Sequence, residues 1–202
     1  MAILLIRHGE TELNVAQVIQ LPETPLSMHG SLQADKLGRS LTHRPIELIL
    51  TSDYERARTT AERVAHYTGA RLIESPLLRE RNFGEIRGRP YTEFNDVDIF
   101  GPDYKPPGGE SWEVFHSRVD TAWNEVIAQA QILPGDFAVI THGLVLRSFF
   151  ERKLEISNHT ISKDSVVANT SVTIVDNEPP WQVIKLASTD HLQKTAPDTM
   201  AI

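Results

Sequence analysis

Two histidines each close an apolar run, and each is followed by glycine. Ile3-Leu4-Leu5-Ile6 gives way to Arg7-His8-Gly9-Glu10-Thr11, and Phe137–Thr141 gives way to His142-Gly143. Neutral imidazole carries a free lone pair near pH 7 and can attack phosphorus. Arg7 beside His8 supplies planar donors suited to phosphate oxygens. Gly9 permits a tight turn and a close approach of backbone to ligand. Either half alone is a weak signal, because a strand-end histidine can simply bond a carbonyl or cap a helix. The doubling favours a shared site, since both rings would project from the same edge of one sheet.

Two further segments carry groups that this chemistry needs. Arg56 follows Ser52-Asp53-Tyr54-Glu55, which fits a capping box. It would stand in the first turn of that helix, where free N–H groups and the dipole favour an anion. A solvated surface arginine is the plainer alternative, and Arg58 and Arg63 are read that way. Leu78-Arg79-Glu80-Arg81-Asn82-Phe83-Gly84 sets a carboxyl among arginines. A protonated Glu80 could give its proton to the alkoxide leaving a phosphomonoester. A surface ion-pair network explains the same spacing without chemistry.

The elements that must position these groups can be read from periodicity. Ala2–Ile6, Ile46–Leu50, Arg71–Glu74, Phe137–Thr141, Ser171–Val175 and Gln182–Leu186 are strand candidates. Several are continuously apolar, as in a sheet covered on both faces. Helices are expected over Ser31–Thr42, Asp53–Thr68 (ended by Gly69), Ser111–Gln131 and Leu144–Lys153. The alternation predicts a three-layer α/β/α sandwich around a mostly parallel sheet. The last two strands, separated by Asn177-Glu178-Pro179-Pro180, suggest an edge hairpin. Residues 1–187 are expected to form one domain, and 188–202 a flexible tail.

Composition narrows the classes. The 202-residue chain has no cysteine, so disulfides, zinc–thiolate sites and cysteine nucleophiles are excluded. A net charge of −7 argues against a nucleic-acid partner. The opening apolar run is too short for a signal peptide, and nothing approaches a membrane span, so a cytoplasmic location is the expectation. Residues 51–90 hold eight arginines against six acids, whereas 91–136 hold two basic residues against nine acids. The anion cradle belongs to the first block.

With these motifs in order, the chain resembles the histidine phosphatase (phosphoglycerate-mutase-like) superfamily. The matching residues are Arg7-His8-Gly9-Glu10-Thr11 with Asn14, Thr51-Ser52-Asp53-Tyr54-Glu55-Arg56-Ala57, Leu78-Arg79-Glu80 through Gly84, Pro107-Gly108-Gly109-Glu110-Ser111, and Thr141-His142-Gly143. The resemblance implies that His8 accepts the phosphoryl group. It implies that Arg7, Arg56 and His142 bind that group, with Asn14 and Gly143 as further contacts. Glu80 is then the proton donor and acceptor. No metal or cofactor is implied, and the partner is a small phosphate monoester. A homodimer is left open.

Three departures from the family pattern bear on substrate. Leu21-Pro22 stands where many members carry glycine. Ile86-Arg87-Gly88 stands where Trp-Glu-Gly is common among the phosphatases. Glu80-Arg81 followed by an aromatic and glycine resembles the mutase form, in which the arginine holds the substrate's acidic end. Arg81 and Arg87 could thus read a second anionic group, with surface pairing to Glu85 as the duller alternative. Residues 91–109 are expected to insert as a lid, its Tyr91, Phe94, Phe100 and Tyr104 making apolar contact and its Asp96, Asp98 and Asp103 repelling highly anionic ligands. That segment is short and acidic, where the mutases carry a longer basic insertion. The expectation is therefore a metal-independent phosphomonoesterase acting through phosphohistidine. A cofactor-dependent phosphoglycerate mutase and a non-catalytic binder of phosphorylated ligands are the alternatives.

Overall fold

Six apolar runs become the strands of one sheet, and the helices between them cover both faces. The computed structural model describes residues 1–156 and 167–193. Along the chain these form β1 (Ala2–Arg7), the single-turn α1 (Glu12–Val15), α2 (Met28–Ser40), β2 (Ile46–Thr51), α3 (Glu55–Thr68), β3 (Arg71–Glu74), α4 (Trp112–Ala130), β4 (Asp136–Thr141), α5 (Gly143–Arg152), β5 (Val172–Asp176) and β6 (Val183–Ser188). The sheet order is β3-β2-β4-β1-β5-β6. The first four strands are parallel, and β5 and β6 add an antiparallel hairpin at one edge.

Alternate side chains of each central strand enter different cores. Ile3, Leu5, Leu48, Leu50, Phe137 and Val139 pack with Phe115, Val119 and Val126 of α4 and with Leu146 and Phe149 of α5. Leu4, Ile6, Ile49, Ala138 and Ile140 pack instead with Leu37 of α2 and with Ala57, Ala61 and Val64 of α3. Burial on both faces is why these strands read as unbroken apolar runs. Each such side chain contributes about 1.5–3 kcal/mol by leaving water. The expected three-layer sandwich therefore forms, and it fixes the strand ends rigidly.

Two helix starts differ from the sequence reading. α2 begins at Met28, capped by Ser27, whose Oγ accepts the Gly30 N–H at 2.9 Å. Gly30 is inside the helix because the loop after β1 crosses there: a Cβ on Gly30 would lie 2.0 Å from Glu10 O, and one on Gly9 2.7 Å from Gly30 O. Gly9 is thus required for its approach to α2. α3 begins at Glu55 with Tyr54 as N-cap, so the capping box expected at Ser52 does not form. Gly69 ends that helix at φ +74°, as read.

The first residues beyond β6 also pack on the body. Asp190–Leu192 forms a 3-10 turn against α2, and His191 Nε2 lies 3.0 Å from Thr170 Oγ1. Residues 194–202, the rest of the expected flexible tail, lie outside the described residues. No helix among the described residues is long and apolar enough to cross a membrane.

Candidate active site

Parallel pairing brings three polar residues to one place. Arg7 is in register with Thr141, and the His8 N–H donates to Thr141 O at 3.0 Å. On the other side of β4, the Ser52 N–H donates to Ile140 O at 3.0 Å. His8, His142 and Ser52 therefore leave the carboxyl ends of three adjacent strands, where open parallel sheets bind ligands. The two imidazole centroids are 5.2 Å apart.

His8 is buried, and its Nδ1–H donates to Gly9 O at 2.7 Å, which leaves the lone pair on Nε2. Burial, then the charges of Arg56 and Arg7, hold its pKa well below 6.5. The ring is neutral at pH 7, with a lone pair on Nε2. Arg56 Nε–H points at His8 Nε2 from 3.3 Å, and Arg56 Nη1 donates to Leu21 O at 2.9 Å. The Leu21-Pro22 departure thus has a use, since its carbonyl anchors this guanidinium. Burial lowers the Arg56 pKa to about 10, so it stays charged. Arg7 donates through Nη1 to Val167 O, while its buried Nε has no partner among the described residues.

His142 caps α5 and is fully buried. Its Nε2 lies 2.8 Å from Ser52 Oγ, and its buried Nδ1 has no partner among the described residues. An orphaned buried nitrogen is costly unless it has a task. Burial, then Arg56 and His8, lower its pKa well below 6.5.

Glu80 sits in the loop after Leu78. Its Oε1 accepts the Arg81 N–H at 3.0 Å and its Oε2 the Leu144 N–H at 3.1 Å. Those bonds and the charges of Arg56 and Arg7 favour the carboxylate, yet desolvation outweighs them and raises the pKa above 4.5. Two side chains hold this loop. Thr141 Oγ1 donates to Leu78 O at 2.7 Å, and Arg118 of α4 donates to Leu77 O and Arg79 O at 2.8 Å each. A Cβ on Gly143 would stand 3.7 Å from Arg7 Nε and 3.9 Å from Glu80 Oε2, so this residue lies between the two groups at contact distance.

Asn14 is oriented by its neighbours. Its Oδ1 accepts the Thr11 N–H at 3.2 Å and Asn169 Nδ2–H at 3.3 Å, which aims the other half of the amide, a donor, elsewhere. Asn14 lines the cavity of about 420 Å³ that also receives Arg7, His8, Arg56 and Glu80. Asn169 further donates to His8 O at 3.0 Å.

Arg81 departs from the expectation. It is 1% exposed, stacked 4.0 Å over the Trp112 ring, and its donors go to the carbonyls of Ile99, Tyr104 and Glu110. Those bonds take four of its five N–H groups and tie the 99–110 segment to the Glu80 loop. The segment builds a small core of Ile19, Phe83, Ile86 and Ile99, on which Phe94 and Tyr104 pack. Tyr91 and Phe100 reach the cavity wall. Asp96, Asp98 and Asp103 are exposed and line no part of it, so any repulsion of anions would act from outside the cavity.

Ser52, Tyr54, Arg118 and Asn169 were not singled out from sequence as site residues. Ser52 and Tyr54 lie in the motif that carries Arg56, but their spacing imitates a helix cap. Asn169 lies far along the chain from every motif, and only the return of the chain before β5 places it at His8.

The comparisons agree with this geometry. The family model for the histidine phosphatase superfamily (branch 1) matches residues 3–189. The chain is 32% identical over 199 residues to "Broad-specificity phosphatase YOR283W" of Saccharomyces cerevisiae, covering 93% of this chain and 86% of that one. It is 29% identical over 214 residues to "Phosphoglycerate mutase-like protein 4" of Arabidopsis thaliana, covering 96% and 87%. Among solved structures, Bacillus stearothermophilus YhfR superposes with a TM-score of 0.81 at 25% identity, covering 95% of this chain and 99% of that one. Two strand-end histidines on one sheet edge, and a match along nearly the whole chain, make this protein a member of the histidine phosphatase superfamily, branch 1.

Proposed function

We propose that this chain hydrolyses small phosphate monoesters by passing the phosphoryl group first to His8 and then to water. The observation that carries the reading is the meeting of a neutral His8 Nε2, the guanidinium groups of Arg7 and Arg56, and a Glu80 carboxyl pushed toward its protonated form at one cavity.

The steps follow from those groups. Nε2 attacks phosphorus in line as the P–O bond to the alcohol breaks. Charge on the equatorial oxygens is met by Arg7, Arg56, His142 and the Asn14 amide, because phosphoryl transfer depends mainly on positioning and electrostatic stabilisation. Ser52 Oγ accepts the Tyr54 N–H at 3.2 Å and can donate its own proton to His142 Nε2. That leaves the His142 proton on Nδ1, a donor for a phosphoryl oxygen. Glu80 protonates the leaving oxygen, then takes a proton from the water that cleaves the P–N bond.

Hydrolysis is favoured over mutase action by the short 91–109 segment, read as a lid. A mutase must exclude water from its phosphoenzyme, and this short, acidic segment brings only Tyr91 and Phe100 to the cavity wall while Asp96, Asp98 and Asp103 remain in solvent. The test is release of phosphate from p-nitrophenyl phosphate in EDTA, with trapping of acid-labile label on His8 after a rapid quench. Metal-independent release and label, both lost in His8→Ala, support the reading. Phosphate exchange between phosphoglycerates without net release supports the mutase, and phosphate binding with no turnover supports a binding module.

A further inference from the structure

The proposed chemistry uses the carboxyl ends of β1, β2 and β4 and leaves one nearby feature without a task. The chain returns to His8 through residues 167–171, just before β5, and there meets the nucleophile's own backbone. The Thr170 N–H lies 3.1 Å from Arg7 O and 3.2 Å from His8 O. Asn169 donates to His8 O and to Asn14 Oδ1, and Val167 O accepts from Arg7 Nη1. Arg7, His8 and Asn14 are therefore all held by one short turn, closed by the Ser171 N–H bonding Ala168 O at 3.1 Å.

That turn does not hold itself. Thr170 stands at φ +56° and is completely buried. A β-branched residue is a strained occupant of the left-handed region, and glycine or asparagine is the usual choice at such a turn position. Strain of this kind persists only where surrounding contacts over-determine the conformation. Here one such contact comes from beyond β6. The Thr170 hydroxyl gives its single proton to Asn169 O at 2.8 Å, so His191 Nε2, 3.0 Å from the same oxygen, donates to it. His191 is fixed in turn. Asp190 pairs with Lys185 of β6 at 2.5 Å, the Asp190 N–H donates to Ser188 Oγ at 3.2 Å, and the 190–192 turn packs on α2.

We infer that His191 is a positioning residue for this active site, acting through the Asn169–Thr170 turn on His8 and Asn14. His191 lines no part of the cavity. By bonding the Thr170 hydroxyl it keeps the strained turn in the conformation that presents the Thr170 N–H to the His8 carbonyl and the Asn169 amide to Asn14. Residues 190–192, expected from sequence to belong to a flexible tail, thus complete the phosphate site. The inference rests on the phosphatase reading for its kinetics, whereas phosphate binding tests it without turnover.

The test compares His191→Phe and His191→Asn, which remove or shorten the donor, with His191→Gln, whose amide N–H reaches the position of Nε2. Calorimetry reads the Kd of inorganic phosphate, and steady-state kinetics reads hydrolysis of p-nitrophenyl phosphate. The Phe and Asn variants should each raise Kd and KM by about three- to ten-fold, the range of one neutral hydrogen bond, with a smaller change in kcat. The Gln variant should stay close to the unaltered chain. On an Asn169→Ala background His191→Phe should add little, because members of one hydrogen-bond network are not additive. Asp136→Ala, at the opposite edge of the sheet, is the control for lost stability alone and should leave phosphate affinity unchanged. Where His191→Phe does not fold, the comparison of Asn with Gln decides. Phosphate binding without hydrolysis removes the phosphatase reading and leaves this one to be judged on affinity, and no phosphate binding by the full chain overturns both. Unchanged affinity in the Phe and Asn variants, a Gln variant as weak as they are, or full additivity with Asn169→Ala overturns the inference.

Discussion

At the scale of single residues, one cause shifts two pKa values in opposite directions, and the proposed mechanism uses both. Burial removes water from His8 and Glu80 alike, which disfavours each charged form: His8 stays neutral and Glu80 holds its proton above its ordinary value of 4.5. The sign for activity follows. Rising pH removes the Glu80 proton, so kcat/KM on alkyl phosphates should fall on the alkaline limb, with that limb displaced upward from 4.5. The limb from His8 protonation lies well below 6.5. Glu80→Gln should flatten the alkaline limb and slow alkyl phosphates by ~10²–10⁴-fold, with a much smaller loss on p-nitrophenyl phosphate, whose leaving group needs no proton. A pH–rate series on both ester types checks this, and equal losses would remove Glu80 as the acid.

At the scale of elements, the reacting groups are held by bonds from segments distant in sequence. Asn169, just before β5, fixes the Asn14 amide and the His8 carbonyl. Asn169→Ala should raise KM and the inhibition constant of inorganic phosphate by about three- to ten-fold, the worth of one neutral hydrogen bond, with a smaller change in kcat. Steady-state kinetics separates the two. Arg81 performs the corresponding service for the cavity wall. Arg81→Leu should cost about 2–3 kcal/mol in urea unfolding, because buried carbonyls lose charged donors. Hydrogen exchange should quicken over residues 99–110 while β1 and β4 stay protected.

At the scale of the molecule, stability and chemistry lie at opposite ends of the same sheet. Asp136 opens β4 at the amino edge, accepting the Ala2 N–H at 2.8 Å and Arg44 Nε at 2.7 Å. Asp136→Ala should lower unfolding free energy by about 1–3 kcal/mol and leave kcat/KM unaltered, since the catalytic groups leave the carboxyl edge. Denaturant titration and kinetics on the same sample test that separation.

Much of this was legible before any coordinates, for a physical reason. Strands buried on both faces must be apolar throughout, so β1 and β4 and the polar residues ending them stand out in one dimension. His8 and His142 were found that way, whereas Arg56 was found from a helix-start motif and Glu80 from its place among arginines. Only the tertiary structure could decide what depends on contacts across the chain. Arg81 turned inward to backbone carbonyls, the three aspartates of the 91–109 segment stayed in solvent, and Ser52 bonded a histidine instead of capping a helix. Sequence fixes which chemical groups are present and their spacing along the chain, but burial and partner, which set a pKa or spend a donor, exist only once distant strands have packed.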